Sequence, residues 1–202
     1  WTYINYPNVS GFNFSDIEIH NNKAYVLLGN FYIYAVPFTE NPVAEVINGP
    51  TIDNLYDLLF VGDSLYAADY KGHIYLQLPN TTDWIPLTSG GPGYGGRLFR
   101  INGRFFLPRW TDIRYSDDGV LFQTLPVEGL NVSPTEITTI YDMIGVDSVI
   151  IAATEMGIFF STDKGEHWLP FDSGLPETEN NYLPALDLTV HNGVVYAAML
   201  RQ

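Results

Sequence analysis

Asp142-Met-Ile-Gly-Val-Asp-Ser-Val-Ile-Ile-Ala152 is an apolar run, a short polar turn and a second apolar run. Strand, tight turn, strand is the signature of a β-hairpin. The pattern returns four more times. It reads Asp16-Ile-Glu-Ile-His-Asn-Asn-Lys-Ala-Tyr-Val26, Asp57-Leu-Leu-Phe-Val-Gly-Asp-Ser-Leu-Tyr-Ala67, Arg97-Leu-Phe-Arg-Ile-Asn-Gly-Arg-Phe-Phe-Leu107 and Asp187-Leu-Thr-Val-His-Asn-Gly-Val-Val-Tyr-Ala197. The five align without a gap, and their starts step by 41, 40, 45 and 45 residues. A fixed period of this size marks a repeat architecture.

Four of the repeats continue into a third strand, Phe31-Tyr-Ile-Tyr-Ala-Val36, His73-Ile-Tyr-Leu-Gln-Leu78, Ile113-Arg-Tyr-Ser116 and Ile158-Phe-Phe-Ser161. A fourth, outer strand is anchored by an aromatic, as in Trp84-Ile-Pro-Leu87 and Trp168-Leu-Pro-Phe171. Four strands in roughly 40 to 45 residues is one propeller blade. The expectation is an all-β, five-bladed β-propeller in one domain, 1–202. Its blades would span about 12–50, 51–92, 93–136, 137–181, and 182–202 plus 1–11. The opening Trp1-Thr-Tyr-Ile-Asn-Tyr-Pro7 resembles the outer strand Trp168-Leu-Pro-Phe171, so the N-terminal strand is expected to close the last blade. An open part of a larger propeller is the competing architecture.

The chain has 202 residues, 46% of them hydrophobic and 16% charged, which suits a folded domain with a sizeable core. Nine lysines and arginines face 23 aspartates and glutamates, for a net charge of −14. That balance argues against nucleic acid, whose phosphates need a basic face, and against an anionic membrane surface. No apolar run reaches the roughly 18 residues that cross a bilayer. With no cysteine, disulfide frameworks, zinc–thiolate sites and thiol catalysis are excluded. The start at Trp1, with neither methionine nor a leader, is read as a processed product, so an extracellular, periplasmic or cell-surface location is expected.

Ser161-Thr-Asp163-Lys-Gly165-Glu-His-Trp168 fits the pattern S-x-D-x-G-x-x-W, between a third and a fourth strand. Tyr115-Ser-Asp117-Asp-Gly119-Val-Leu-Phe122 reads as a weaker copy. With Val149-Ile-Ile-Ala-Ala-Thr-Glu-Met-Gly-Ile-Phe-Phe-Ser161, these stretches resemble the blades of Asp-box (BNR-repeat) propellers, which include sialidases, sortilin-type receptors and photosystem-assembly-factor-like proteins. The resemblance is strong over 145–198, fair over 97–130 and a matter of period alone over 1–90. It implies the fold, not an activity. It also implies a structural role for Ser161, Asp163, Gly165, Trp168, Asp117, Gly119 and Phe122 on the outer rim.

The alignment puts Asp16, Asp57, Arg97, Asp142 and Asp187 in one column, each at the start of an innermost strand. In a closed ring they would surround one channel mouth. They could tie blades together through backbone N–H groups, hold a cation or polar ligand, or serve a small glycoside hydrolase. No cofactor is expected beyond such a channel cation. Tyr70, Arg109, Trp110 and Glu155, in turns between second and third strands, face the same mouth. Trp110 is the leading ligand-binding candidate, because aromatic rings beside polar groups suit sugars and protein surfaces. Glu155 is the one glutamate that the pattern places as an acid. Arg97, Arg100, Arg104, Arg109 and Arg114 lie in one blade, either as a local basic patch or as neutralisation of nearby acids. Three arginines from separate blades, as a sialidase needs, are not provided. The reading is a non-catalytic module that binds a glycan or protein at the mouth. A glycosidase and an architectural part of a larger exported protein are the alternatives.

Overall fold

The computed structural model describes residues 14–28, 32–50, 54–88, 96–171, 174–175 and 183–200. They fall into two compact units, 1–91 and 92–202. All regular elements among the described residues are strands.

In the first unit, β1 (Phe14–His20), β2 (Lys23–Leu28), β3 (Tyr32–Pro37) and β4 (Glu45–Ile47) form one antiparallel meander. A second meander follows with β5 (Leu55–Val61), β6 (Ser64–Asp69), β7 (Ile74–Gln77) and β8 (Trp84–Pro86). In the second unit, β9 (Phe99–Ile101), β10 (Arg104–Pro108), β11 (Ile113–Ser116) and β12 (Gln123–Leu125) form the third. The fourth has β15 (Ile140–Val146), β16 (Val149–Thr154), β17 (Gly157–Ser161) and β18 (Leu169–Pro170). Between them sits a small hairpin, β13 (Asn131–Ser133) and β14 (Glu136–Ile137), in the repeat that is 45 rather than 40 residues long. The fifth repeat is a two-stranded hairpin, β19 (Ala185–His191) and β20 (Val194–Met199).

Four complete blades are therefore present among the described residues, not the five expected. The fifth repeat forms its inner hairpin alone. The strand proposed to complete it, within 1–11, lies outside the described residues.

The inner hairpins turn where the sequence demands left-handed backbone. Asn21 and Asn22, Asn102 and Gly103, and Asn192 and Gly193 all have positive φ, as a two-residue turn matching strand twist requires. In four of the five repeats the residue just after the column position is buried: Leu58, Leu98, Met143 and Leu188 are 2–6% exposed, whereas Ile17 of the first is 53% exposed. In the first unit Leu27 and Ile33 of one blade pack on Leu55, Leu58 and Leu65 of the next. In the second, Phe106, Ile113 and Leu125 of one blade share a core with Met143, Phe159 and Trp168 of the other. Backbones also come close there. A side chain at Gly145 would run into Ile101, and one at Gly129 into the Trp168 carbonyl.

Candidate functional site

The four aspartates of the column gain their place from a kink that repeats, whereas Arg97 lies two residues before β9 and not at the start of a strand as expected. The register of the inner hairpin shifts between Phe14 and Asp16, Leu55 and Asp57, Ile140 and Asp142, and Ala185 and Asp187. A bulge re-aims the side chain that follows it. Asp16 Oδ2 accepts the Leu58 N–H at 2.9 Å, and Asp142 Oδ2 accepts the Leu188 N–H at 2.8 Å. In both cases the carboxylate reaches the next repeat's inner strand, one residue past that repeat's own aspartate. Asp57 and Asp142 are buried, whereas Arg97 and Asp187 are exposed. Burial raises the Asp142 pKa most, and Asp187 adds to it. The Leu188 and Met143 N–H groups and the Arg97 charge oppose the rise. Among the described residues no cluster of three or more His, Asp or Glu is arranged to hold a metal ion.

The turns at the same ends of the blades are fixed by polar groups closing the second strand. Asp69 accepts the N–H groups of Lys71 and His73 and pairs with His73 Nδ1 at 2.7 Å. Thr154 Oγ donates to the Gly157 carbonyl and accepts the Met156 N–H. Arg109 holds the corresponding place. Its side chain is 2% exposed and grips both Asp112 oxygens, at 2.7 and 2.5 Å, so its Nε and one Nη are engaged inside the turn. Trp110, next along, is 51% exposed. Its carbonyl accepts the Ile137 N–H at 2.8 Å, so the small β13–β14 hairpin braces the turn that presents the ring. Glu155 is exposed, and its carboxylate lies 3.4 Å from the Thr139 hydroxyl. Within the 1–91 unit, Tyr70, 38% exposed, meets Tyr56 edge-on.

The remaining arginines are also engaged locally. Arg104 binds Asp117 through both oxygens and lies 4.5 Å from the centre of the Tyr115 ring. Arg114 lies 3.6 Å from Asp112, and Arg100 covers Phe105.

The Ser161–Trp168 turn is stitched from within. Ser161 Oγ donates to Asp163 and accepts the Gly165 N–H. Asp163 accepts the His167 N–H and pairs with its ring, which pulls its carboxyl down to about 2. The Trp168 ring N–H donates to the Gly165 carbonyl, and the ring is buried. The turn also joins blades, because the Trp168 N–H donates to the Glu128 carbonyl and the Glu128 N–H to Glu166. In the weaker copy, Ser116 and Asp118 take these places. Ser116 Oγ donates to Asp118 and accepts the Gly119 N–H, and Asp118 accepts the Val120 and Leu121 N–H groups. Asp117 instead turns outward to Arg104. Phe122 contacts Phe105 edge-on.

Two groups escaped the sequence reading. Glu18 is half-buried, and burial, helped by the Asp16 charge, raises its pKa to about 7. Strand alternation was the available signal, since residues two apart share a face. The second is a cavity of about 360 Å³ in the first unit, with His20, Asn21, Asp63 and Gln77 in its wall.

No family model matches the sequence, and no curated protein does. Solved structures do match. YCF48 from Cyanidioschyzon merolae is 13% identical, with a TM-score of 0.66 over 98% of this chain and 70% of its own. A structure of YCF48 bound to D1 peptide is 15% identical, with a TM-score of 0.67 over 97% of this chain and 64% of that one. The extracellular domain of the putative hybrid two component system BT4673 from B. thetaiotaomicron is 12% identical. Its TM-score is 0.71 over 98% of this chain and 26% of its own. The fold is a β-propeller fold. At these identities the likeness carries the fold of the blades and no activity. The chain spans between about a quarter and 70% of these propellers.

Proposed function

We propose that this propeller chain is a non-catalytic recognition module of the Asp-box kind. In this reading it binds a peptide segment of a protein partner at the blade ends of the 92–202 unit, centred on Trp110. The observation that carries it is an indole half in solvent on a turn that cannot collapse. Arg109–Asp112 locks the turn from inside and the Ile137 N–H ties it from outside. A large ring held rigid loses little entropy on contact, which is how binding hot spots are made. The exposed Arg97 and Glu155 of the same unit supply polar contacts at the edge. Asp142 takes a smaller part, since its carboxylate serves the Leu188 N–H. One propeller neighbour is described with a bound peptide and another as an extracellular domain. Both settings suit this reading, and we place the protein outside the cytoplasm.

Panning a displayed random-peptide library against the protein tests it. Selected peptides should lose at least tenfold in affinity for Trp110→Ala. Peptides that bind that variant equally well would remove the site. Glycan-array signal lost in the same variant, with no peptide selected, would reassign the rim to sugars.

Glycoside hydrolysis has one observation in its favour. Burial and the Asp16 charge lift Glu18 to about 7, so a large fraction is protonated near neutrality, as a general acid needs. Aryl-glycoside cleavage abolished by Glu18→Gln would establish it, and absence of cleavage would close it.

A further inference from the structure

Beyond the apolar packing of Leu27 and Ile33, four side chains of the first blade grip the second. Asp16 accepts the Leu58 N–H. His20 stacks flat on Phe60, ring centres 4.1 Å apart and planes within 7°. Tyr25 meets the same Phe60 ring edge-on, at 4.6 Å. Asn21 donates to Asp63 Oδ1 at 3.1 Å, and His20 Nε2 lies 3.0 Å from the same oxygen. The grip thus reads three features of hairpin β5–β6: one backbone N–H, an aromatic ring, and an acid in the turn three residues after that ring.

The same four residue types recur in hairpin β19–β20 as Asp187, His191, Asn192 and Tyr196. Each lies 171 residues after its counterpart. The frame that carries them is the same. Asp16 pairs with Leu27 and Asp187 with Ala198 across their hairpins. Glu18 pairs with Tyr25 and Thr189 with Tyr196, and both hairpins bulge just before the aspartate. Asn21 and Asn192 share a left-handed backbone, with φ of 46° and 50°, and both amides touch the preceding histidine, at 2.8 and 3.2 Å.

One side of β19–β20 is seated in the usual way. Ala185 and Leu188 pack on Ala153 and Ile158, and Asp142 binds the Leu188 N–H. The side that carries the copied grip is open. Asp187, His191 and Asn192 are exposed, Tyr196 is 53% exposed and Val194 52%. In the first blade the corresponding ring, Tyr25, is partly covered, and Leu27 is fully buried.

We propose that this open face of β19–β20 is a docking site for the inner hairpin of a further propeller blade, one that carries an aromatic ring and, three residues on, an acid in its turn. The repeat of an interface already formed in the molecule supplies the argument. Asp187 takes the partner's backbone N–H, His191 and Tyr196 enclose its ring, and Asn192 takes its acid. A second copy of this chain is a poorer occupant, because β1 and its turn offer Ile19 and Asn22 where β5 and its turn offer Phe60 and Asp63. The face is separate from the Trp110 rim, and neither proposal needs the other.

The probe is a cyclised peptide of the chain's own sequence from Asn54 to Tyr70, its hairpin fold verified by cross-strand NOEs, titrated into the isotope-labelled protein. Saturable shifts are expected in the amides of 185–199. Affinity should fall at least tenfold for Tyr196→Ala in the protein and for Phe60→Ala or Asp63→Asn in the peptide. A folded peptide that leaves those amides unmoved, or one whose binding ignores Tyr196→Ala, overturns the proposal. So does sedimentation showing a dimer whose formation covers Tyr196, since a second copy would then own the face.

Discussion

Glu18 stands two residues beyond Asp16 on β1, so both carboxyls leave the same face of the strand. Water is partly excluded there, and a second negative charge is close. Both disfavour ionisation and lift the carboxyl from its ordinary 4.5 to about 7. Below pH 4.5 the group is protonated whether the chain is folded or not, and it costs nothing. Between 4.5 and 7 the unfolded chain ionises first, so stability drains away as pH rises. Above 7 the loss is complete. Glu18→Gln removes the ionisation and should raise the melting temperature at pH 8 while leaving it unchanged at pH 4. Equal shifts at the two pH values would mean that packing, not charge, governs the position. Arg109 is the reverse case. Its sequence position marked it as a ligand-binding candidate, but the strand-end place it fills is taken by Asp69 and Thr154 in other repeats, and all three fix their own turns. Side-chain type gave no hint of this, because an aspartate, an arginine and a threonine are unrelated in sequence and share only geometry.

At the scale of the blade, the contact that repeats is a carboxylate on a neighbour's backbone. Asp142 is nearly buried, so its ionised form is disfavoured, yet its oxygen satisfies a buried N–H of Leu188. Asp142→Asn keeps an acceptor and sheds the charge, so a change within about 0.5 kcal/mol is expected. Asp142→Ala strands the N–H and should cost about 1–3 kcal/mol in urea unfolding. If both variants lost the same amount, the hydrogen bond would not be what the aspartate contributes. Five hairpins, their Asn and Gly turns and the aspartate column were legible in the sequence, because left-handed turn residues and strand alternation are local demands. The bulges were not. They fall on Ser15, Tyr56, Tyr141 and Leu186, none of them a residue type that marks a bulge. In the weaker copy the sequence offers two frames, since Tyr115-Ser-Asp117 and Ser116-Asp-Asp118 both place an aspartate two residues after a hydroxyl. The Ser116 hydroxyl and the N–H groups of Val120 and Leu121, all on Asp118, select the second.

For the chain as a whole, repeat length predicted blade size but not blade number. The fifth hairpin repeats the pattern of the others, but only four repeats read on into a third strand, and among the described residues the fifth has two strands. Charge, in contrast, is a property of the whole that the sequence states directly: 23 acids against 9 bases. Folding brings fourteen excess negative charges closer than they stand in the extended chain. At 10 mM salt the Debye length is about 30 Å, comparable with a domain, so most of this repulsion is felt. Salt also weakens attraction, and the ion pairs must be set against the repulsion. Arg104–Asp117 is open to solvent on its acidic side, where such pairs are worth about 0–1 kcal/mol. Arg109–Asp112 is largely sheltered and is screened little. Relief of repulsion should therefore prevail. Raising NaCl from 10 to 300 mM at pH 7.5 is expected to stabilise the fold by about 1 kcal/mol, or roughly 2–4 °C in melting temperature by circular dichroism. Most of the gain should arrive below 150 mM, where the Debye length has already shrunk to about 8 Å. A steady rise continuing to molar salt would point to surface exclusion of the salt instead, and a fall would mean that the arginine pairs outweigh the net charge.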